Sequence, residues 1–244
     1  AARCVAEAAS IWVGSRIFFA QTLDTFLTDL QRARPNFFFS VPRLWVKFQQ
    51  GVFAKMPPKK LDRLMAIPIL GGFVKRKILR QLGLDSVRFA GTAAAPIPPD
   101  VLAWYHKLGL ELLEGYGMTE HFGLATCSMP GHGRVGYVGT PVAHCEVKLS
   151  DTGEVLTRGP SHMQCYFKEP EKTRETMTDD GWLRTGDLGE FDGEGRLKII
   201  GRAKEQFKSS KGKYVSPAPI EGKLAAFNQI EACMVTGVAF PQPF

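Results

Sequence analysis

The residues best suited to chemistry lie in Gly115–Glu120, whose sequence is Gly-Tyr-Gly-Met-Thr-Glu. Two glycines bracket an aromatic ring, and glycine lets the backbone turn tightly beside a flat ligand. The ring offers a stacking face, the threonine a hydrogen-bonding hydroxyl, and the glutamate an oxygen suited to a hard metal ion. The apolar run Leu110–Leu113 predicts a strand that ends where this stretch begins. Taken alone, the stretch is as consistent with a solvated turn as with a ligand site.

A second loop with small side chains, Gly91–Pro96, also follows a predicted strand, Ser86–Ala90. Small residues after a strand allow a ligand to press against the backbone, although a tight turn without a ligand has the same composition. A predicted helix, Pro98–Leu108, joins this loop to the next strand. A right-handed crossover would place both loops at the same edge of the sheet, where ligands usually bind in α/β folds. This shared placement favours a ligand site.

Two further segments, Thr185–Asp187 and Gly201–Lys204, carry charged groups of suitable chemistry. An aspartate presented by a glycine turn can accept two hydrogen bonds from a ribose diol, a role that suits Asp187. The nearby guanidinium of Arg202 could steady the ribose or a phosphate. Thr-Gly-Asp is by itself also a common turn sequence.

Helical and strand patterns alternate in the first 130 residues, and this alternation predicts a parallel sheet covered by helices. The segment Lys55–Gly72 is predicted to be irregular, because prolines and glycines interrupt it. The other predicted elements of this part are strands Arg16–Ala20 and Asn36–Val41 and helices Val5–Trp12, Thr25–Arg34, Leu44–Phe53 and Phe73–Leu82.

Short apolar runs separated by turn residues follow from Gly131, and they predict a β meander that forms a small barrel or sandwich. The polar stretch Gly201–Pro219 is a predicted linker. The predicted fold class is α/β, a parallel sheet with covering helices (1–130), then a small barrel-like subdomain (131–201) and the start of an α+β domain (202–244). The remaining predicted elements are strands Glu146–Leu149, Glu154–Thr157 and Met163–Tyr166, helix Glu169–Met177, hairpin Leu188–Phe191 with Arg196–Ile200, helix Ile220–Phe227 and strand Ala232–Ala239.

The composition is that of a soluble protein with a sizeable core, since 44% of the 244 residues are hydrophobic and 23% are charged. No apolar run reaches the ~20 residues that a membrane helix needs, and no signal peptide is visible. Five widely spaced cysteines without a C-x-x-C pair argue against a zinc site or a disulfide scaffold. These features predict a cytoplasmic protein with reduced thiols.

Positive charge is concentrated in the first hundred residues, which contain 15 Lys and Arg but only 6 Asp and Glu. Two basic clusters stand out there, Lys55–Arg63 and Lys75–Arg80. Such clusters attract anionic membranes or nucleic acid, but most are solvated faces, and we favour that interpretation. Peripheral membrane contact stays open. Nucleic-acid binding is not expected, because no aromatic residues are interleaved with the basic ones in the pattern that stacks bases.

Taken together and in this order, the motifs resemble those of the adenylate-forming acyl-CoA synthetases, most closely the long-chain fatty acid branch. Tyr116–Glu120 is similar to the family's Tyr-Gly-x-Thr-Glu, and Gly181–Asp187 to its Gly-Trp-x-x-Thr-Gly-Asp. Gly201–Glu205 and Lys211–Pro217 are similar to its hinge and the loop after it. Phe37–Trp45 is similar to the branch's motif near the acyl pocket. The resemblance covers essentially the whole chain, but only the middle of the family's chain.

The resemblance implies a site for ATP and AMP with Mg²⁺. Tyr116 would stack on adenine, with the Ala93–Ala95 backbone on its other side. Thr119 would hydrogen-bond the α-phosphate, and Glu120 would hold Mg²⁺ as the metal ligand. The residues that match the family's nucleotide-binding positions are Ala93, Ala94, Tyr116, Thr119, Asp187 and Arg202, the last two binding the ribose.

The resemblance also implies a two-step reaction, in which a carboxylate attacks the α-phosphate of ATP and the thiolate of CoA then displaces AMP. A fatty acid or another carboxylate would be the substrate. Lys204 would be the hinge of a rotating C-terminal domain, and the loop with Lys211 and Gly212 would approach CoA. Thr119 and Glu120 would be the catalytic residues of this chain.

Two positions depart from the family pattern, which usually has glycine at Ala93 and at Lys211. The resemblance further implies that the family's phosphate-binding loop and catalytic lysine lie outside this chain, so we expect a fragment with little activity of its own. Two alternatives remain, an adenylating enzyme that loads a carrier protein and a nucleotide-binding module without turnover. The oligomeric state has no sequence signal.

Overall fold

The computed structural model describes residues 7, 10–212, 214–224, 227, 230 and 233–237. The chain divides into two compact units, residues 2–113 and residues 114–244. The three-part division at residues 130 and 201 stays a prediction. Among the described residues, no helix is long and apolar enough to span a bilayer.

The first unit pairs two parallel strands, β1 (Phe37–Ser40) and β2 (Phe89–Thr92), in a register that sets Phe37 opposite Phe89 and Ser40 opposite Thr92. A strand, helices and a second parallel strand follow one another, as the sequence predicts for the α/β class. Its elements are α1 (Phe26–Ala33), β1 (Phe37–Ser40), α2 (Pro42–Lys55), α3 (Pro58–Ala66), α4 (Leu70–Gln81), β2 (Phe89–Thr92) and α5 (Pro99–Leu108).

An aromatic cluster forms the core of the first unit. The Trp45 ring on α2 and the Tyr105 ring on α5 meet edge to face with centroids 5.0 Å apart, and both residues are fully buried. The Tyr105 hydroxyl donates to the Trp45 carbonyl over 2.8 Å, so the buried phenol has a partner. Phe38 of β1 packs edge-on against Trp45 at 5.3 Å. Such pairs add about 0.5–1.5 kcal/mol each beyond the burial of their area.

Two predictions for the first unit were wrong. Lys55–Gly72 is largely helical, because Pro58 occupies the first turn of α3, where its missing N–H costs nothing. Gly71 lies against the Met65 backbone, so it serves a close crossing of α3 and α4 rather than a loop. Residues 14–20 form no strand, and Phe18 and Phe19 are 54% and 81% exposed. The apolar run Arg16–Ala20 has no partner strand among the described residues.

Other predicted elements of this unit are confirmed with shifted ends. The predicted helix Val5–Trp12 lies partly outside the described residues. Residues 7 and 10–13, which are described, are helical. Strand Ser86–Ala90 is displaced to Phe89–Thr92. Gly109 ends α5 with φ +87°, the left-handed conformation that favours glycine.

The second unit is built mainly on antiparallel strands. Four strands between Glu146 and Arg202 form a meander in sequential order, which corresponds to the predicted barrel-like part, and three strands between Leu112 and Pro141 pair antiparallel. The elements are β3 (Leu112–Tyr116, which begins at the end of the first unit), β4 (Thr126–Cys127), β5 (Thr140–Pro141), β6 (Glu146–Leu149), β7 (Glu154–Arg158), α6 (Pro170–Thr176), β8 (Leu183–Phe191), β9 (Leu197–Arg202), β10 (Phe207–Lys208), β11 (Tyr214–Val215) and α7 (Pro217–Leu224).

The sequence misplaced three elements of this unit. Met163–Tyr166 is not a strand, since its N–H groups at Met163 and Tyr166 bond to the Glu120 carbonyl and the Thr173 hydroxyl. The predicted helix Ile220–Phe227 begins earlier, at Pro217. Most of the predicted strand Ala232–Ala239 is described, and its residues 233–237 form no strand, while the others lie outside the described residues.

Candidate functional site

Three of the predicted motifs meet at the carboxylate of Asp187 within the second unit. The Tyr116 hydroxyl donates to its Oδ2 over 2.6 Å, and Nε of Arg202 lies 2.9 Å from its Oδ1. The Asp187 side chain is only 9% exposed, whereas that of Arg202 is 56% exposed. Each carboxylate oxygen therefore keeps one charge-assisted partner and has a remaining lone pair for a ligand hydroxyl.

Strand register explains why Asp187 and Arg202 meet. They are direct cross-strand partners in the β8–β9 ladder. Opposite charges at such positions are neighbours whose Cβ atoms lie roughly 5 Å apart. The pair is thus fixed by the hairpin that the sequence predicts, although its two members are 15 residues apart in the chain.

A bulge in β8 aims Asp187, and this corrects the predicted glycine turn. Along β7, Glu154 pairs with Leu188 and Leu156 pairs with Arg184, so β8 carries extra residues between these pairs. Gly186 takes φ +72° there, a conformation that a side chain would strain. Thr185–Asp187 is therefore part of a continuous strand, in which a bulge redirects one side chain toward the site.

The bulge has internal hydrogen bonds that hold it. The Thr185 hydroxyl donates to the Val155 carbonyl over 2.8 Å and accepts from the Asp187 N–H over 3.1 Å. The Gly186 N–H donates to Oε1 of Glu154 over 3.0 Å. Because the ladder groups freed by the bulge are satisfied, Asp187 is held in place before any ligand arrives.

Tyr116 lies at the end of β3, so the motif begins inside the strand rather than after it. Burial raises the pKa of its phenol far above the usual value, and the negative charge of Asp187 raises it further. The hydroxyl therefore remains protonated and donates to Asp187 throughout the physiological range. The residue as a whole is only partly buried.

Glu120 lies in a short 3₁₀ turn, Thr119–His121, and its side chain is held by a residue that the sequence did not point to. The Tyr166 hydroxyl donates to Oε1 of Glu120 over 2.7 Å, and the Met163 N–H donates to the Glu120 carbonyl over 2.7 Å. Burial raises the pKa of Tyr166, and the bond to Glu120 raises it further. Among the described residues, Oε2 of Glu120 has no hydrogen-bond partner.

The donor set around Glu120 suits a magnesium ion that arrives with phosphates. No group of three His, Cys, Asp or Glu that could hold a metal exists among the described residues. A single carboxylate oxygen is nonetheless sufficient for Mg²⁺, which keeps several waters and takes substrate phosphate oxygens as its other ligands. The exposed Thr119 beside it leaves a hydroxyl accessible to a phosphate.

The buried ring of His121 stabilises this turn, and the sequence did not point to this residue either. It is 1% exposed, and its Nε2 accepts the Met118 N–H over 3.2 Å. Burial lowers the pKa of its imidazole. Because Nε2 accepts this N–H, the neutral ring has its proton on Nδ1, which has no partner among the described residues. A histidine after Thr-Glu carries no sequence signal for this role.

The predicted adenine-facing residues, Ala93 and Ala94, belong to the first unit. Ala93 is buried, and Ala94 is exposed with φ +76°, a conformation that glycine adopts more readily. Their placement opposite the Tyr116 ring stays a prediction.

The remaining predicted residues lie on exposed turns of the second unit. Lys204 follows β9, in a turn closed by the Ala203 N–H, which donates to the Gly186 carbonyl over 2.8 Å. Lys211 and Gly212 lie in the exposed loop between β10 and β11, where Gly212 has φ +77°. Neither lysine forms an ion pair within the described part of the chain. Their predicted roles as hinge and CoA loop stay predictions.

Residues 1–167 match the family model described as AMP-binding enzyme. The chain belongs to the AMP-binding enzyme family. It is 33% identical to the putative fatty-acid–CoA ligase fadD11 of Mycobacterium tuberculosis, with 92% of this chain and 44% of that protein covered. It is 36% identical to the long-chain-fatty-acid–CoA ligase 5 of Mus musculus, with 84% and 34% covered. The predicted resemblance is confirmed, and the chain spans less than half the length of these relatives.

Solved structures agree with this membership. The O-succinylbenzoate coenzyme A synthetase of Bacillus subtilis, in complex with AMP, matches with a TM-score of 0.73 at 21% identity, and this likeness shows the fold alone. It covers 99% of this chain and 47% of that one. An A-PCP didomain of the carboxylic acid reductase from Segniliparus rugosus, in complex with AMP, matches with a TM-score of 0.68 at 25% identity over 89% and 31% of the two chains.

Proposed function

We propose that this chain forms the adenosine-binding part of an ATP-dependent, AMP-forming fatty-acid–CoA ligase. One observation carries the proposal: Tyr116, Asp187 and Arg202, from three separate motifs, converge through bonds of 2.6 and 2.9 Å. The fatty-acid–CoA ligases among its relatives support the choice of substrate and acceptor.

In this proposal Asp187 binds the ribose. Its two oxygens, held by Tyr116 and Arg202, accept hydrogen bonds from the two ribose hydroxyls. The Tyr116 ring would stack on the adenine. The half-exposed guanidinium of Arg202 is close enough to Asp187 to assist the ribose contact. Because the carboxylate is held before ligand binding, little side-chain entropy is lost when the nucleotide arrives.

The phosphates would extend toward Thr119 and Glu120. The Thr119 hydroxyl would donate to the α-phosphate, and Oε2 of Glu120 would be the protein ligand of Mg²⁺. The ion, when bound, supplies positive charge that neutralises the phosphates. Tyr166 fixes the orientation of Glu120 by donating to Oε1 over 2.7 Å, and Oε2 would then be the oxygen that holds the ion.

The proposed reaction has two steps. A fatty-acid carboxylate oxygen forms a bond to the α-phosphorus of ATP while the bond to pyrophosphate breaks, which gives acyl-adenylate and pyrophosphate. The CoA thiolate then attacks the acyl carbon, and AMP leaves with the bonding electron pair. Catalysis of this type depends on alignment and on neutralising phosphate charge. Lys204, as hinge, and Lys211 with Gly212, near CoA, would serve the second step.

The carrier-protein alternative has one observation in its favour, the likeness to an adenylation–carrier didomain. The two acceptors are separated by offering CoA or a phosphopantetheinyl carrier to preformed acyl-adenylate. Thioester formation with CoA supports the ligase, whereas transfer to the carrier alone would contradict it.

The nucleotide site is tested by calorimetric titration of the chain with AMP. We expect Asp187→Asn to weaken binding by about tenfold or more, because a neutral amide replaces hydrogen bonds to a charged acceptor that contribute ~1.5–3 kcal/mol. The matched control is Asp151→Asn, the same change at an exposed turn. Equal affinities of wild type and Asp187→Asn would refute the site.

We further propose that the chain alone sustains little turnover. Of the residues assigned to the site, only Thr119 and Glu120, with its metal ion, would act on the phosphates. Loss of one preorganised donor commonly costs ~10²–10³ in rate. The assay is exchange of pyrophosphate into ATP that depends on a long-chain fatty acid. Rapid exchange would show that other groups of this chain do the phosphate chemistry.

A further inference from the structure

Helix α4 of the first unit presents one exposed face that nothing in the proposed function uses. Residues spaced by three and four positions lie on one side of a helix, and here they are Leu70, Phe73, Arg76, Lys77 and Arg80. All five are exposed. The opposite side, with Gly71 and Ile78, is buried in the unit. We call this exposed stripe the α4 face.

The α4 face is apolar at its N-terminal end. Leu70 and Phe73 are 43% and 66% exposed, and Ile67 and Ile69, in the turn before the helix, are 45% and 83% exposed. These four large apolar side chains, within seven residues, thus form a solvent-exposed surface that we call the apolar tip. Ile69 has φ +65°, a conformation that is costly for a β-branched residue. The turn holds this side chain outward rather than in the core.

The rest of the α4 face is basic. Residues 55–80 contain eight Lys and Arg against one acid, Asp62. Arg76, Lys77 and Arg80 line a shallow cavity of about 360 Å³ together with Phe73, Arg34 and Asp85. The one acid of this cavity, Asp85, is already paired with Arg34 at 2.8 Å. Within the described residues, Arg76, Lys77 and Arg80 form no ion pair.

We propose that the α4 face docks on the surface of an anionic phospholipid membrane. The apolar tip, from Ile67 to Phe73, would enter the headgroup region, and Arg76, Lys77 and Arg80 would contact lipid phosphates. Binding of this surface would combine burial of the apolar tip in the headgroup region with attraction of the cations to anionic lipid. Nucleic acid or free phosphate would bind the cations but would make no use of the exposed apolar tip. The proposal does not depend on the proposed function.

The test is sedimentation of the chain with vesicles. We expect it to bind vesicles of phosphatidylcholine mixed with phosphatidylglycerol, and binding should weaken as salt screens the charges. Vesicles of phosphatidylcholine alone should bind much less. The variant Arg76→Glu/Lys77→Glu should bind at least about tenfold more weakly, since each basic residue contributes about fivefold. The matched control is Arg43→Glu/Lys47→Glu, the same charge change on exposed residues of α2, which should bind like wild type.

The apolar tip has its own pair of variants. Phe73→Ser should reduce the binding that remains at high salt, whereas Phe73→Trp should preserve it, because tryptophan favours the membrane interface. Equal binding to both vesicle types, or equal loss in the two charge-reversed variants, would overturn the proposal. Displacement from vesicles by millimolar-range inorganic phosphate, or equally tight binding to duplex DNA, would also overturn it. Thermal unfolding of each variant checks that the exposed substitutions leave the fold intact.

Discussion

Removing the hydroxyl of Tyr116 gives the sharpest test of how the site is preassembled. In Tyr116→Phe the aromatic ring remains, but Oδ2 of the buried Asp187 loses its donor at 2.6 Å. Hydrogen bonds to charged groups contribute ~1.5–3 kcal/mol, and this bond is short and largely buried. We therefore expect the free energy of unfolding to fall by about 1.5–3 kcal/mol.

The effect on AMP affinity should be smaller than the effect on stability. The bond exists before the nucleotide binds, so its loss acts on binding only through the looser carboxylate. Tyr116→Ala also removes the stacking face, which typically contributes ~1–3 kcal/mol per base, and should weaken AMP binding clearly more than Tyr116→Phe. Affinity and stability are thus affected by different parts of one side chain.

Urea unfolding and calorimetry with AMP measure the two quantities. Tyr137→Phe is the matched control, because the Tyr137 hydroxyl has no hydrogen-bond partner among the described residues and its removal should change stability little. A double-mutant cycle of Tyr116→Phe with Asp187→Asn should show that the two losses are not additive. Additive losses, or equal destabilisation by Tyr116→Phe and Tyr137→Phe, would refute the reasoning.

Two further predictions concern Glu114, which precedes the Gly115–Glu120 motif, and Tyr166, which contacts its last residue. Burial raises the pKa of Glu114 from 4.5 to about 7, against the opposing effect of the Gly136 N–H. Stability should therefore fall as pH rises from about 4.5 to 7, by on the order of 3 kcal/mol, because the unfolded chain ionises first. Glu114→Gln should remove this slope in urea unfolding at a series of pH values, and an unchanged slope would contradict it. Tyr166→Phe should raise the Mg²⁺ concentration needed for half-maximal ATP binding severalfold while leaving metal-free AMP binding unchanged, as titrations with each nucleotide would show. Equal effects on both would make Tyr166 merely structural.

The sequence predicted the parts of the fold that local chemistry determines. The helix-ending role of Gly109, the β8–β9 hairpin and the alternation in the first unit follow from periodicity and turn residues, and they are confirmed. The prediction for Lys55–Gly72 was wrong because proline can also occupy the first turn of a helix and glycine can also permit a close helix crossing. The prediction of a strand at Arg16–Ala20 was wrong because an apolar run becomes a strand only where a partner strand exists.

The sequence pointed to several residues of the candidate site, but not to the contacts that position them. Asp187 and Arg202 stood out through their motifs, yet only the β8 bulge and the cross-strand register show how they meet. Tyr166 and His121 could not have been found from sequence. Tyr166 contacts Glu120 across 46 positions of the chain, and single-sequence patterns do not encode such contacts.

The central claim, that Asp187 holds the ribose of an adenine nucleotide, is tested most directly by comparing AMP with 2′,3′-dideoxy-AMP. Both nucleotides are titrated into wild type and into Asp187→Asn by calorimetry. Removal of the ribose hydroxyls should weaken wild-type binding by about tenfold or more, since the lost hydrogen bonds are to a carboxylate. It should change the affinity of Asp187→Asn far less. If wild type and variant lose the same factor, Asp187 does not bind the ribose and the account is contradicted.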